Sequence, residues 1–259
     1  MDKNKIDLAE LLFELSNEHR LKILSILSCN NQNLKDFSKN MTIPKPEIYR
    51  NLKRLISAGI IYKDNKNEYA LTTSGKIIMM QLQNFLFLEN YSNILENHDL
   101  NFIPIQFQAS IGELKSIKIV VGTIEGFNLT VERFGKAHKY EHIMTKEIFT
   151  SFIDPIKKMI ENGVEIKLLL QKNAEKEFFD VLESIGYKRN GKIRTRFVDT
   201  VEMAILVDEN SGEFNIPFSD GNIDYSTTFY AERENEINWV NNLFKYYWDH
   251  KTGDMEIIF

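Results

Sequence analysis

One cysteine, Cys29, serves the whole 259-residue chain. A single thiol excludes an intramolecular disulfide and a cysteine-rich metal cage. The chain has no run of about 18 apolar residues, the length a membrane-spanning helix needs. Met1-Asp2-Lys3-Asn4-Lys5 leads straight into an amphipathic pattern, so a cytoplasmic protein with no membrane partner is expected. There is no Gly-rich phosphate loop, no Gly-x-Ser-x-Gly elbow and no Cys/His pair of familiar spacing, and no cofactor is expected. The 5 prolines and 12 glycines form no linker-like tract. Repeats and low-complexity segments are also missing, so a hinge is expected only where the pattern changes, near Asn97 to Pro104.

An excess of positive charge is missing too: the formal net charge is −5. Its distribution matters more than its sum. From Asn33 to Lys76 there are nine Lys or Arg against four Asp or Glu, so a local +5 sits on a remainder of −10. A basic face on an acidic body can bind phosphates while the body limits non-specific adhesion. With 43% hydrophobic residues, the length suits one large domain or two ordinary ones with full cores.

The stretch from Asn33 to Gly75 reads, in order, as a helix-turn-helix, a basic helix and a charged hairpin. Upstream, Leu11, Leu15, Leu21, Leu24 and Leu27 predict two short amphipathic helices, the second capped by Ser16 or Asn17. Asn33 to Asn40 predicts a third, with Leu34 and Phe37 inward and Met41-Thr42-Ile43 as the turn. In the next helix Ile48, Leu52, Leu55 and Ile56 fall at helical spacing and predict an inward stripe. Pro46, Tyr49, Arg50 and Lys53 form the opposite stripe. Such a helix can lie in a major groove, where Arg and Lys reach guanine edges or phosphates; a solvated basic surface gives the same pattern. Pro44 and Pro46 leave the helix start near Lys45 open, because the residue before a proline avoids the α region. Ile60-Ile61-Tyr62 and Glu68-Tyr69-Ala70-Leu71 are strand-like and flank the polar tip Lys63-Asp64-Asn65-Lys66-Asn67. Lys63 and Lys66 either touch backbone phosphates or only solvate the tip.

Ser16-Asn17-Glu18-His19-Arg20-Leu21-Lys22-Ile23-Leu24, Asn51 to Ile61 and Leu71-Thr72-Thr73-Ser74-Gly75-Lys76 resemble the ArsR-type winged helix of archaeal regulators, without that family's metal-binding cysteines. The resemblance covers roughly the first third of the chain and implies double-stranded DNA as partner. The residues expected at DNA are Lys45, Glu47, Tyr49, Arg50, Lys53 and Arg54 on the helix, with Lys63 and Lys66 in the wing.

Thr72 to His98 predicts a long helix, capped by Thr72 or Thr73, whose apolar residues cover more than one face and must be buried on both. A two-fold partner could cover one side through Ile78, Leu82, Phe85 and Leu86, as a reader of paired half-sites requires; burial between two domains of one chain is the alternative. Beyond Leu100, strand patterns at 117–121, 164–170, 192–198, 203–207 and 212–218 alternate with helical ones at 152–161, 174–185 and 232–248. That alternation predicts a mixed α/β domain.

His98 to Pro104, Glu161 to Leu168, Met203 to Asp208 and Trp239 to Trp248 bring the whole chain into resemblance with the archaeal FilR-type transcription regulators, whose C-terminal domain resembles the phospholipase D fold. The fold class expected is α/β and multi-domain: a winged helix-turn-helix over 1–75, a connecting, dimerising helix over 76–98, and a mixed α/β effector-sensing domain over 99–259. The resemblance implies a one-component regulator that dimerises and senses a small molecule. A phospholipase D-like site would place His, Lys and Asp where this chain has Val201, Met203 and Asp208, so neither nucleophile nor phosphate clamp is present and no catalytic residue is expected.

His138 and His142 stand four apart and could bind a metal with Glu141 or Glu147 if Phe134 to Met144 were helical; a solvent-facing pair is the plainer reading, and no metal is expected. Ligands of α/β sheets gather at carboxyl ends of strands, which points to Gly122-Thr123, to Gln171-Lys172 and to the segment from Phe197 to Glu202. Arg194 and Arg196 share a strand face and either hold an anionic effector, with Thr123 and Glu202, or form a solvated edge. Asp220 and Asp224 look like turn formers. Three rivals stand beside a DNA-binding regulator: a phosphodiesterase-like enzyme, a ligand-free DNA-architectural protein, and a winged helix that binds protein.

Overall fold

Three N-terminal helices each begin where a short polar side chain takes up a free backbone N–H. Asp7 caps α1 (Leu8–Leu15) by accepting from Glu10 N at 2.8 Å. Asn17 caps α2 (Glu18–Cys29), and Asn33 caps α3 (Leu34–Asn40) with two bonds. In the computed structural model, which describes residues 7–134, 136–187, 191–251 and 256–259, these helices belong to the first of two units, Met1–Phe85 and Leu86–Phe259.

Helix α4 (Lys45–Ser57) starts at Lys45 after Pro44, with Pro46 in its first turn, where a missing N–H costs nothing. It ends in a two-bond cap: Ile60 N donates to Leu55 O at 3.0 Å and Gly59 N to Ile56 O at 2.9 Å. Gly59 stands at φ 69, the left-handed conformation this motif needs. Strands β1 (Ile61–Lys63) and β2 (Tyr69–Leu71) pair antiparallel, and Gln32 adds a bridge to Tyr69. Thr72 then caps α5 (Thr73–Leu95), accepting from Gly75 N at 3.0 Å. A side chain at Gly75 would collide with the carbonyl of Ile60, so only glycine lets the helix leave the hairpin this way. The core of this unit joins Ile23, Leu24, Phe37, Ile48, Leu52 and Leu55 with Ile60 and Tyr69.

Two parts of the expected helix faces are corrected. Ile56 is 38% exposed and Leu21 is exposed, whereas Asn51 is buried beside Ile48, Leu52 and Leu55. Asn51 donates to Glu47 O and accepts from Arg20, so its amide is satisfied inside.

In the second unit, α6 (Ile105–Gln108) precedes β3 (Lys118–Val121), α7 (Thr123–Phe134), β4 (Tyr140–Thr145), α8 (Ile153–Glu161), β5 (Glu165–Gln171), α9 (Glu175–Ser184), β6 (Ile193–Val198), β7 (Ala204–Asp208), β8 (Gly212–Asn215), β9 (Thr227–Ala231), α10 (Glu234–His250) and β10 (Ile257–Ile258). The strands form one eight-stranded sheet in the order β10-β6-β5-β4-β7-β8-β9-β3. Only β4–β5 and β5–β6 pair parallel, so the sheet is mixed. Alternation sorts its side chains: Met144, Leu169, Ile205 and Val207 join a core with α10, while Ile143, Leu168, Leu170 and Leu206 join one with α7, α8 and α9. No helix among the described residues is long and apolar enough to cross a membrane.

Helix α5 spans the division at Phe85. Ile78 and Met79 pack on the first unit's core, and Phe87 and Tyr91 are buried in the second's. Part of its apolar surface is therefore used within the chain, and Ile78 among the expected dimer contacts belongs to its own unit's core. Leu82 is half-buried, while Ile77, Met80, Phe85, Leu86 and Leu88 are exposed, Phe85 at 62%.

Candidate functional site

The outward side of α4 presents Lys45, Pro46, Tyr49, Arg50 and Lys53, all exposed. Lys53 Nζ lies 4.8 Å from the Tyr49 ring centroid. Arg50 is 3.5 Å from Glu47, an exposed pair one turn apart worth well under about 1 kcal/mol, so a nucleic-acid group can displace it cheaply. Glu47 also lies 4.0 Å from His19.

Arg54 is corrected. Its guanidinium grips Glu14 of α1 with contacts of 2.5 and 3.0 Å. Arg20, 5% exposed, meets the same carboxylate at 3.2 Å and donates to the backbone oxygens of Glu14 and Phe13. The hydrogen bond from Arg54 holds the Glu14 carboxyl below the usual range. Arg54 thus fastens α1 to α4 and leaves the outward stripe to Arg50 and Lys53. Sequence spacing gave no sign of this, because the partner lies 40 residues upstream.

The hairpin tip is built by Asp64, whose carboxylate accepts from Lys66 N and Glu68 N at 2.8 Å each. Asn67, at φ 67, completes the turn. Lys63 Nζ sits 5.5 Å from the Tyr69 ring centroid, and Lys66 projects from the exposed tip.

In the second unit a cavity of about 190 Å³ lies on the face covered by α7, α8 and α9, lined by Phe127, Phe149, Phe152 and Phe178 and by polar residues that include Thr130 and Glu213. Thr123 borders it; Arg194, Arg196 and Glu202 do not. Arg194 and Arg196 lie 3.7 and 3.5 Å from Glu256. Arg196 also donates to Trp248 O and lies 4.8 Å over that indole. Glu202 pairs with Lys251 and accepts from Thr200. These groups satisfy one another away from the cavity, so of the four residues expected at an effector only Thr123 lines it.

Behind the cavity Arg133 lies fully buried, 2.5 Å from Glu141, 2.7 Å from Asp208 and 3.9 Å from Glu213. Burial pushes Glu141 up to about 8 and raises Glu213 as well. Asp208 is spent on Arg133 and on the backbone of Asn210 and Ser211; Val201 and Met203 are core residues. His142 lies on strand β4, not on a helix, stacked on Phe244 with Nδ1 3.0 Å from Asn241. Among the described residues no cluster of His, Cys, Asp and Glu is arranged to hold a metal. Asp220 and Asp224 do shape turns, and Asp224 also meets His98 at 3.0 Å.

Residues 9–88 match the family model described as the methanogenesis regulatory protein FilR1, N-terminal domain. The first third of the chain is thus similar to the N-terminal domain of this regulator type, as the resemblance carried by its motifs implied. No curated protein matches. Among solved structures, the chain is similar to TrmBL2, an archaeal chromatin protein described with a novel mode of DNA binding, at 18% identity over 95% of this chain and 98% of that one, with a TM-score of 0.45. It is also similar to Nuc from Salmonella typhimurium, a phospholipase D family member, at 10% identity over 54% of this chain and 97% of that one, with a TM-score of 0.39.

Proposed function

We propose that the protein is a one-component transcription regulator that reads double-stranded DNA with α4 and braces it with the β1–β2 wing. One observation supports this most: an exposed Tyr49, Arg50 and Lys53 stripe on a helix whose Ile48, Asn51, Leu52 and Leu55 are buried, inside a domain matching a regulator family. Arg50 and Lys53 reach base edges or phosphates, and Lys63 and Lys66 contact the backbone beside the groove. Lys45 and Glu47 flank the stripe at the helix start.

The second unit acts as a sensor, not an enzyme. Val201 and Met203 stand where a phospholipase D-like site would carry its nucleophile and clamp, and both are packed in the core. Occupancy of this unit and DNA affinity are linked, so DNA changes the effector's affinity by the same factor as the effector changes DNA's.

The protein works as a homodimer through α5, where Phe85 and Leu86 remain exposed beside Ile77, Met80 and Leu88. Phe85→Glu with Leu86→Glu places charges in that apolar contact and converts dimer to folded monomer in sedimentation. A wild type already monomeric at micromolar concentration would remove the dimer from the account.

The reading as a whole is tested by recovering genomic fragments bound to purified protein and sequencing them. A small set of promoters sharing paired half-sites is expected; even recovery across the genome would favour an architectural protein.

A further inference from the structure

The cavity of the second unit has a composition that selects its occupant. At about 190 Å³ it exceeds the roughly 150 Å³ of an engineered apolar cavity that takes benzene. Five phenylalanines, the inward aliphatic side chains of β5 and those of α8 and α9 make the wall mainly apolar. Polar groups gather where β8 and β9 meet α7. Thr130 donates to Glu213 at 2.6 Å, and Asn215 spends its amide N–H groups on Asp224 O, Thr227 O and Thr228 Oγ1. The Tyr225 hydroxyl, also in the lining, lies by Thr145 but is buried with no partner at hydrogen-bond geometry.

The charges in the wall are all of one sign. Glu147 and Glu213 are the ionisable carboxyls among the described lining residues, and none of these is Lys, Arg or His. The nearest guanidinium, Arg133, is held by Glu141 and Asp208 behind Glu213. An anion entering this space would face carboxyl groups and no cation in the described lining, since Arg133, 3.9 Å from Glu213, lies behind it; burial makes that costly. A hydroxyl or amine would instead find acceptors in Glu213 and a ready partner in Tyr225.

Resting on the sensor reading above, we propose that this cavity is the effector site and binds an apolar molecule of one- or two-ring size that carries a neutral or cationic hydrogen-bonding end and no negative charge. This replaces the anionic effector suggested by Arg194 and Arg196. The chemistry is that of an aromatic or branched aliphatic alcohol or amine.

Three probes on one naphthalene ring test it on the full-length protein: 1-naphthylmethanol, 1-naphthylmethylamine and 1-naphthoate, followed by calorimetric titration and thermal melting. The alcohol and the amine should raise Tm by roughly 2 °C or more at saturation. The carboxylate should bind at least about tenfold more weakly than both. Ile156→Trp and Val181→Trp, on separate helices of the lining, should each fill the space and weaken the alcohol and amine by about tenfold or more. Equal binding of the carboxylate, no binding of any probe at millimolar concentration, or unchanged binding in a folded Trp variant would each overturn the assignment. The sensor reading fails separately: probes that bind as described yet leave DNA affinity unchanged keep the cavity's ligand and remove its regulatory role.

Discussion

The outward stripe and wing of the first unit and the interior of the second handle charge in opposite ways. In the first, Arg50, Lys53, Lys63 and Lys66 stand in solvent, held at most by weak exposed contacts. In the second, Arg133 is sealed among Glu141, Asp208 and Glu213, and Arg196 is tied to Glu256 and Trp248. Cations that cost little to uncouple are available to an outside polyanion. Those buried with their partners are not, because breaking such a pair strands a charge in low dielectric. The contrast separates a surface for recognition from a scaffold, although both units contain arginines beside carboxylates.

Substitutions can break that contrast from either side. Arg50→Ala with Lys53→Ala should weaken operator binding by roughly 2 to 6 kcal/mol, about 1 to 3 for each base contact, with the fold intact by circular dichroism. An unchanged operator affinity at fixed salt would take the reading role away from α4. Arg133→Met should cost the second unit about 3 to 5 kcal/mol in urea unfolding, since it leaves carboxyl groups buried without their counter-charge. A stability loss under 1 kcal/mol would contradict this and show that the buried carboxyls do not depend on the guanidinium.

What the sequence disclosed follows the same line. Local signals sufficed where the physics is local: Asn17 as one of two candidate caps of α2, Thr72 as one of two for α5, the polar turn of the wing tip, and the apolar spacing of Ile48, Leu52 and Leu55. They failed where a partner lies far along the chain. Arg54 reads as part of the DNA face until Glu14 is brought to it, and Asn51 reads as polar surface until Arg20 meets it. Arg194 and Arg196 share a strand face as expected from alternation, yet Glu256 arrives on that edge with β10 and takes both. The expected pattern has no helix over Thr123–Phe134, so α7 and the cavity wall it forms were missed. A cavity itself is a property of packing between elements, and no periodicity encodes it.

Two smaller effects sharpen the comparison. Burial pushes the His142 imidazole down to about 4. An unfolded histidine titrates near 6.5, so as pH falls from about 6.5 to about 4 the unfolded chain takes up a proton that the folded one refuses. The second unit should therefore lose about 3 kcal/mol across that window, and His142→Phe, which keeps the stack on Phe244, should flatten the loss in urea titrations. A wild-type profile level over this range would show the ring to be hydrated. Least of all, Lys63→Ala with Lys66→Ala should lower affinity for all DNA sequences alike and reduce the salt slope by about 1 to 2. A loss confined to one sequence would move the wing from phosphates to bases.

The central claim is sequence-specific reading by the first unit. It is tested most directly by the ratio of wild-type affinities for a recovered operator and for its shuffled sequence, both measured at one near-physiological salt concentration. A regulator of this kind should favour the operator by at least about 10³. A ratio near one would contradict the account and leave a protein that holds DNA without reading it.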